Sequence, residues 1–211
     1  MEREALILTI VSIHLLALIL PGPDLIMIIK TSLSSSKKTG IYMAIGSSLG
    51  VLFHVSYSLL GLGIILSKTL LLFGIIKILG AMYLIYFGLN LFISKLELEK
   101  ELQENTIIIQ REISFLEAIK IGFLSNILNP KAILFFLSLF TMLMNEKQDN
   151  FTLFVSSFAI ILNNFLWFSF IAIIMNNKKI RILYEKIQTK LNKIFGTILI
   201  VFGIKFISMI K

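Results

Sequence analysis

The chain has 211 residues, of which 57% are hydrophobic and only 15% charged, with a mean hydropathy of +0.92. Those values exclude a disordered chain and argue against an ordinary soluble domain. Cysteine is absent, which excludes disulfides, thiolate metal ligation and thiol redox chemistry. The net charge of +8 reads as loop lysines obeying the positive-inside rule rather than as a nucleic-acid footprint.

Several apolar runs reach the roughly 20 residues needed to cross about 30 Å of hydrocarbon. The opening Met1-Glu2-Arg3-Glu4 is not the basic start of a signal peptide, and no small-residue cleavage site interrupts the run behind it. A retained first span is expected. Periodicity predicts six spans in all, roughly 5–29, 41–66, 70–93, 115–144, 151–175 and 194–210.

The first span carries Pro21-Gly22-Pro23-Asp24 within its apolar run. Proline has no backbone N–H and its ring clashes with the preceding turn, so two prolines around a glycine open the helix. Opened backbone at membrane depth is tolerated where it faces protein or a polar cavity. Asp24 lies in that opening, and an acid at the bilayer centre costs roughly 2.5–3.5 kcal/mol on insertion scales. The only other aspartate, Asp149, is in a loop, and the ten glutamates lie in loops or near span ends. Two roles fit Asp24: binding a cationic group or a proton, or capping the short helix that starts near Leu25.

The second span opens with Ser47-Ser48 and carries Gly46, Gly50 and His54 at four-residue steps. The glycines follow the small-xxx-small pattern of close helix packing. His54, with Tyr57 beside it, suits a proton relay, a substrate contact or a satisfied core histidine. His14 precedes the proline break and is the weaker candidate.

The fourth span is interrupted at Asn126-Ile127-Leu128-Asn129-Pro130-Lys131. Asn129 is placed to cap the next half-helix, whose free N–H groups and partial positive charge suit an anion. Lys131 adds a full charge there, or pairs with Asp24, or snorkels outward. Asn163, Asn164 and Trp167 of the fifth span are candidates to line the same cavity. The many phenylalanines read as lipid-facing or packing residues.

Loop charges set the expected sidedness. The first, third and fifth loops hold twelve Lys and Arg, against four on the opposite face at Arg3, Lys68, Lys147 and Lys211. The first set is therefore expected in the cytoplasm and both termini outside. The basic stretch 178–193 reads as an amphipathic helix on the membrane surface.

The two halves resemble each other. Pro21 to Ser48 is 27 positions, and so is Pro130 to Ser157; Ser48 to His54 matches Ser157 to Asn163; Phe87-Gly88 matches Phe202-Gly203. The expected fold is an all-α membrane protein, one transporter domain of six transmembrane helices arranged as a 3+3 inverted repeat with helices one and four broken. Repeat one covers about 5–93, a linker 94–114, and repeat two about 115–211. Such repeats place a transporter's site at the midplane between the halves.

Taken together, Pro21-Gly22-Pro23-Asp24, the series Gly40, Gly46, Gly50, His54, and the run Gly122 to Ala132 followed by Leu134-Phe135-Phe136 resemble the LysE/RhtB family of amino-acid exporters over nearly the whole chain. The resemblance implies a bacterial inner-membrane protein that exports amino acids or close derivatives using the proton gradient.

The expected protein is thus a secondary transporter and not an enzyme, without cofactor or metal. Its partners are a zwitterionic or cationic amino acid, protons and the lipid bilayer; a homo-oligomer is as compatible with the sequence as a monomer. The expected site is Pro21, Gly22, Pro23, Asp24, His54, Asn126, Asn129, Pro130 and Lys131. The rival in a different transport class is a divalent-cation permease, for which one deep Asp, His14 and His54 are a thin ligand supply. A membrane enzyme would need clustered ligands or paired acids. A structural protein leaves the buried acid between two prolines without a reason. No glycine-rich nucleotide loop is present, so ATP is not the expected driver.

Overall fold

In the computed structural model, residues 2–20, 22–68, 70–93, 113–144 and 149–208 are described. They form eight helices and no strand: α1 (Glu2–Ile19), α2 (Pro23–Ser34), α3 (Lys37–Lys68), α4 (Leu70–Ile93), α5 (Phe115–Ile127), α6 (Pro130–Met144), α7 (Asn150–Ile174) and α8 (Lys178–Ser208). The linker charges expected at 95–112, the 145–148 loop, Pro21 and Lys211 lie outside the described residues.

Two helix pairs are each long and apolar enough together to cross a membrane, with a sharp bend at a short break. α1 and α2 meet at 60° across the Gly22 break, and α5 and α6 meet at 61° across Leu128 and Asn129. Three unbroken stretches, Lys37–Leu60, Asn150–Ile174 and Lys186–Lys205, are also long and apolar enough to cross a membrane. α4 contributes a shorter described apolar stretch, Ala81–Phe92.

One expectation needs correcting. The basic stretch 178–193 is not a separate surface helix, because α8 runs through it without a break. The reason is a buried polar stripe, Tyr184, Gln188 and Asn192, spaced at one helical turn and turned toward the protein, while Lys186, Lys190 and Lys193 point outward. Amphipathicity here serves packing, and the apolar window starts earlier than 194.

Lipid tails are as apolar as leucine, so burial of greasy surface does not drive these helices together; close packing and hydrogen bonds do. The α3–α5 crossing illustrates this. A methyl group on Gly46 would collide with the Ile119 carbonyl, and one on Gly122 with the Met43 carbonyl, so the two backbones touch through paired glycines. At the α4–α8 crossing, Gly88 and Gly196 face each other in the same way, with 2.7 and 2.6 Å from each added methyl to the opposite carbonyl. Large apolar side chains such as Leu8, Leu60, Phe151, Phe154 and Phe158 point outward.

The two ends of the bundle are tied differently. Arg3 Nε lies 3.1 Å from Asp149 Oδ2, and Asp149 caps α7 by accepting from the Thr152 amide at 2.9 Å. These bonds hold the Asp149 carboxyl below the usual carboxylate range. At the other end Asn176 donates to the Ser32 carbonyl at 3.4 Å. The start of α1 thus lies beside the start of α7, and the end of α2 beside the α7–α8 turn at the other end.

Replacing Gly122 by leucine is expected to lower the thermal unfolding midpoint of the detergent-solubilised protein, since overpacking typically costs about 1–3 kcal/mol. Replacing outward-facing Phe158 by leucine is expected to leave it nearly unchanged. Equal midpoints for the two variants would contradict the backbone contact.

Candidate functional site

At the first break, Gly22 is the N-cap of α2 in an extended conformation (φ −159°, ψ 171°) with no side-chain cap, and Pro23 takes the first helical position. Proline suits that position because its missing N–H would be unpaired anyway. Asp24 follows in the first turn, where the helix dipole favours a negative charge. It does not cap its own helix, as one sequence reading allowed. Its carboxylate instead accepts from Asn126 Nδ2 at 2.7 Å and from Ser125 Oγ at 3.2 Å, both on α5.

The second break is closed as the sequence suggests. Asn129 caps α6: its side-chain oxygen accepts from the Lys131 amide at 3.0 Å and its carbonyl from the Ile133 amide at 3.0 Å. Pro130 again opens the new helix. The Lys131 ammonium then reaches back to the first break and donates to the Leu20 carbonyl at 2.9 Å, its stem passing over Gly22. Tyr184 on α8 donates to the neighbouring Ile19 carbonyl at 3.0 Å. The carbonyls exposed where α1 stops are held by side chains from α6 and α8, and the acid that starts α2 is held by α5.

A narrow cavity of about 30 Å³ lies at this junction, room for about two waters. Its polar lining is His14, Asp24, Asn126, Asn129, Lys131 and Asn164, and Phe135, Phe136 and Phe168 supply much of its apolar wall. Asp24 is the one carboxylate in the lining and Lys131 the one primary amine. Gly22, Asp24, Asn126, Asn129 and Lys131 are therefore brought together, while Pro21 lies outside the described residues.

His54 is fully buried but does not line the cavity. Its Nε2 donates to the Asn126 carbonyl at 3.2 Å, its Nδ1 meets the Tyr57 hydroxyl at 3.1 Å, and its ring stacks on Phe136 at 5.3 Å. It steadies the residue that holds Asp24. Gly50 gives Asn126 its space: an added methyl would lie 2.6 Å from Asn126 Oδ1 and 2.9 Å from its Cβ. Of Asn163, Asn164 and Trp167, only Asn164 reaches the cavity. Asn163 holds His14 instead, at 3.2 Å to Nδ1.

Sequence reasoning did not single out Ser125 or Tyr184, and it ranked His14 low. Ser125 had a signal, since it adjoins Asn126 one turn before the break. Tyr184 had none, because its partner is a carbonyl 165 positions away.

A family model described as LysE type translocator matches residues 15–210. The uncharacterized membrane protein YrhP of Bacillus subtilis (strain 168) is 32% identical over 203 residues, covering 94% of this chain and 97% of that protein. The threonine efflux protein of Salmonella typhimurium (strain LT2) is 29% identical over 204 residues, and that of Escherichia coli (strain K12) 28% identical over 204, each covering 96% of this chain and 97% of the relative. No solved structure matches.

Gly50→Ala should destabilise the folded protein by displacing Asn126, with overpacking of about 1–3 kcal/mol. Asn126→Ala vacates that space, so adding Gly50→Ala to it is expected to cost much less than Gly50→Ala alone. Additive effects in the thermal double-mutant cycle would refute the contact.

Proposed function

The chain belongs to the LysE type translocator family, and from that membership we propose that it is a secondary transporter exporting a small zwitterionic amino acid in exchange for protons. At family level it is a membrane transporter of amino-acid export, not an enzyme. The relatives named threonine efflux protein make threonine the first substrate to try. The observation that carries the reading is the shared cavity, where a carboxylate from one helix break and an amine and a helix N-terminus from the other face the same space.

Each end of a zwitterion has a partner there. Asp24 receives the ammonium, or the coupling proton when substrate has left. The N-terminus of α6 receives the carboxylate through the Ala132 amide, the Lys131 ammonium and the helix dipole, since the Asn129 cap already takes the Lys131 and Ile133 amides. Asp24 and Lys131 carry opposite charges and leave no excess for a second charge on the substrate. His54 acts on the site through Asn126. A divalent-cation permease would need several carboxylates or imidazoles around one point, and this cavity offers Asp24 and His14.

Six spans as a 3+3 inverted repeat are part of this proposal, with α1–α2 counterpart to α5–α6, α3 to α7 and α4 to α8. The nearly equal bends of 60° and 61° support it. So does the matched reach of two counterpart residues: His54 of α3 bonds a carbonyl of α5, and Asn163 of α7 bonds a carbonyl of α1, Val11, at 3.2 Å. Alternating access would rock one repeat against the other around the site. The bacterial inner membrane, a cytoplasmic face bearing the basic loops, and termini outside complete the reading.

Preloaded proteoliposomes with an imposed proton gradient test it across a panel of amino acids. Gradient-dependent efflux of small neutral amino acids is expected, and Asp24→Asn should reduce it at least about ten-fold and flatten its pH dependence. Wild-type efflux and pH profile from folded Asp24→Asn would remove Asp24 from the mechanism. Absence of efflux from folded wild-type protein would remove the exporter reading itself.

A further inference from the structure

Asn164 is fully buried on α7 and lines the cavity, yet the charges of Asp24 and Lys131 do not use it. Its Nδ2 donates to Ser47 Oγ and Ser48 Oγ of α3, each at 3.1 Å. The orientation of this amide follows from the network. Ser48 spends its own proton on the Ala44 carbonyl at 2.8 Å, so its oxygen can only accept, and the nitrogen of Asn164 must face it. Oδ1 is then turned off α3, and among the described residues it accepts no hydrogen bond. Buried acceptors are ordinarily paired, so an orphan in a cavity wall calls for a donor.

His14 of α1 lines the same cavity, with Phe135 and Phe136 against its ring at 5.8 and 5.6 Å. Asn163 Nδ2 must present hydrogens, because it also donates to the Val11 carbonyl. Nδ1 of His14 is therefore an acceptor from Asn163, and the ring proton sits on Nε2. Beyond its charged groups the lining has two acceptors without a partner among the described residues; Asn126 Oδ1 is turned to Gly50, which leaves Asn164 Oδ1 and the His14 Nε2–H donor for a ligand. A hydroxyl complements both, since it donates one hydrogen and accepts another.

Resting on the exporter reading above, we propose that Asn164 Oδ1 and His14 Nε2–H form a subsite for the side-chain hydroxyl of a small hydroxy amino acid. Asn164 accepts the hydroxyl hydrogen, His14 donates to its oxygen, and the phenylalanines bound the space around it. A site that hydrogen-bonds a substrate hydroxyl discriminates strongly against an isostere lacking it, because the isostere leaves buried polar groups unpaired.

The test is efflux of threonine and of valine, its isostere, measured in the same proteoliposomes. Wild-type protein should move threonine at least about ten-fold faster than valine. Asn164→Leu should cut that ratio at least about ten-fold, by lowering threonine efflux more than valine efflux. If Asn164→Leu does not yield folded protein, His14→Phe carries the test with the same expectation, and protection of wild-type protein against heat by threonine but not valine is the independent readout. Equal wild-type rates for the two amino acids, or a wild-type ratio in either folded variant, would overturn the subsite while leaving amino-acid export standing. No efflux of any amino acid would overturn export and the subsite with it.

Discussion

Two helices broken inside a membrane must each satisfy the backbone groups they expose, and here each break supplies what the other lacks. The carbonyls at the end of α1 take hydrogens from Lys131 and Tyr184. The acid at the start of α2 takes hydrogens from Ser125 and Asn126 at the end of α5. No water is available in the hydrocarbon to do either job. The breaks are therefore stable only together, and their meeting creates a polar spot inside an otherwise apolar bundle.

The packing around that spot follows from lipid as the solvent. Paired glycines let α3 lie directly on α5 and α4 on α8, because contact rather than burial holds such helices together. The same economy of space explains why His54 matters without touching the cavity. It fills the gap between α3 and the end of α5, stacks on Phe136 and holds the Asn126 carbonyl. Asn126 is fixed from two sides, by His54 at its backbone and by Gly50 at its side chain.

Much of this was legible in the chain. Pro23 and Pro130 mark the half-helices because proline's chemistry is local, and Asn129 fulfils its cap because capping is local too. The lone deep acid stood out by cost alone. The Gly46 and Gly50 series proved to be packing, as its spacing suggested. What could not be read were partners distant in sequence: Tyr184 for Ile19, Asn163 for His14, Asn164 for the two serines. The α8 stripe was misread because a helix with one basic face gives the same pattern whether its other face meets lipid headgroups or protein. Phe135 and Phe136 were indistinguishable from lipid-facing neighbours until α6 acquired an orientation.

The cavity is too small for an amino acid in the arrangement described, at about 30 Å³, and this bears on how the proposed site would work. Hydrogen bonds join the breaks across it, from Asp24 to α5 and from Lys131 to α1. A zwitterion offers replacements for both sets: its ammonium for the donors on Asp24, its carboxylate for the acceptor on Lys131. A ligand shifts a conformational equilibrium only by its differential affinity for the two states, and this one would gain its contacts by releasing the two clasps that join the breaks. On that reading, recognition and opening draw on the same few hydrogen bonds, so a ligand that meets only one break would release only one clasp and leave the other holding the halves together.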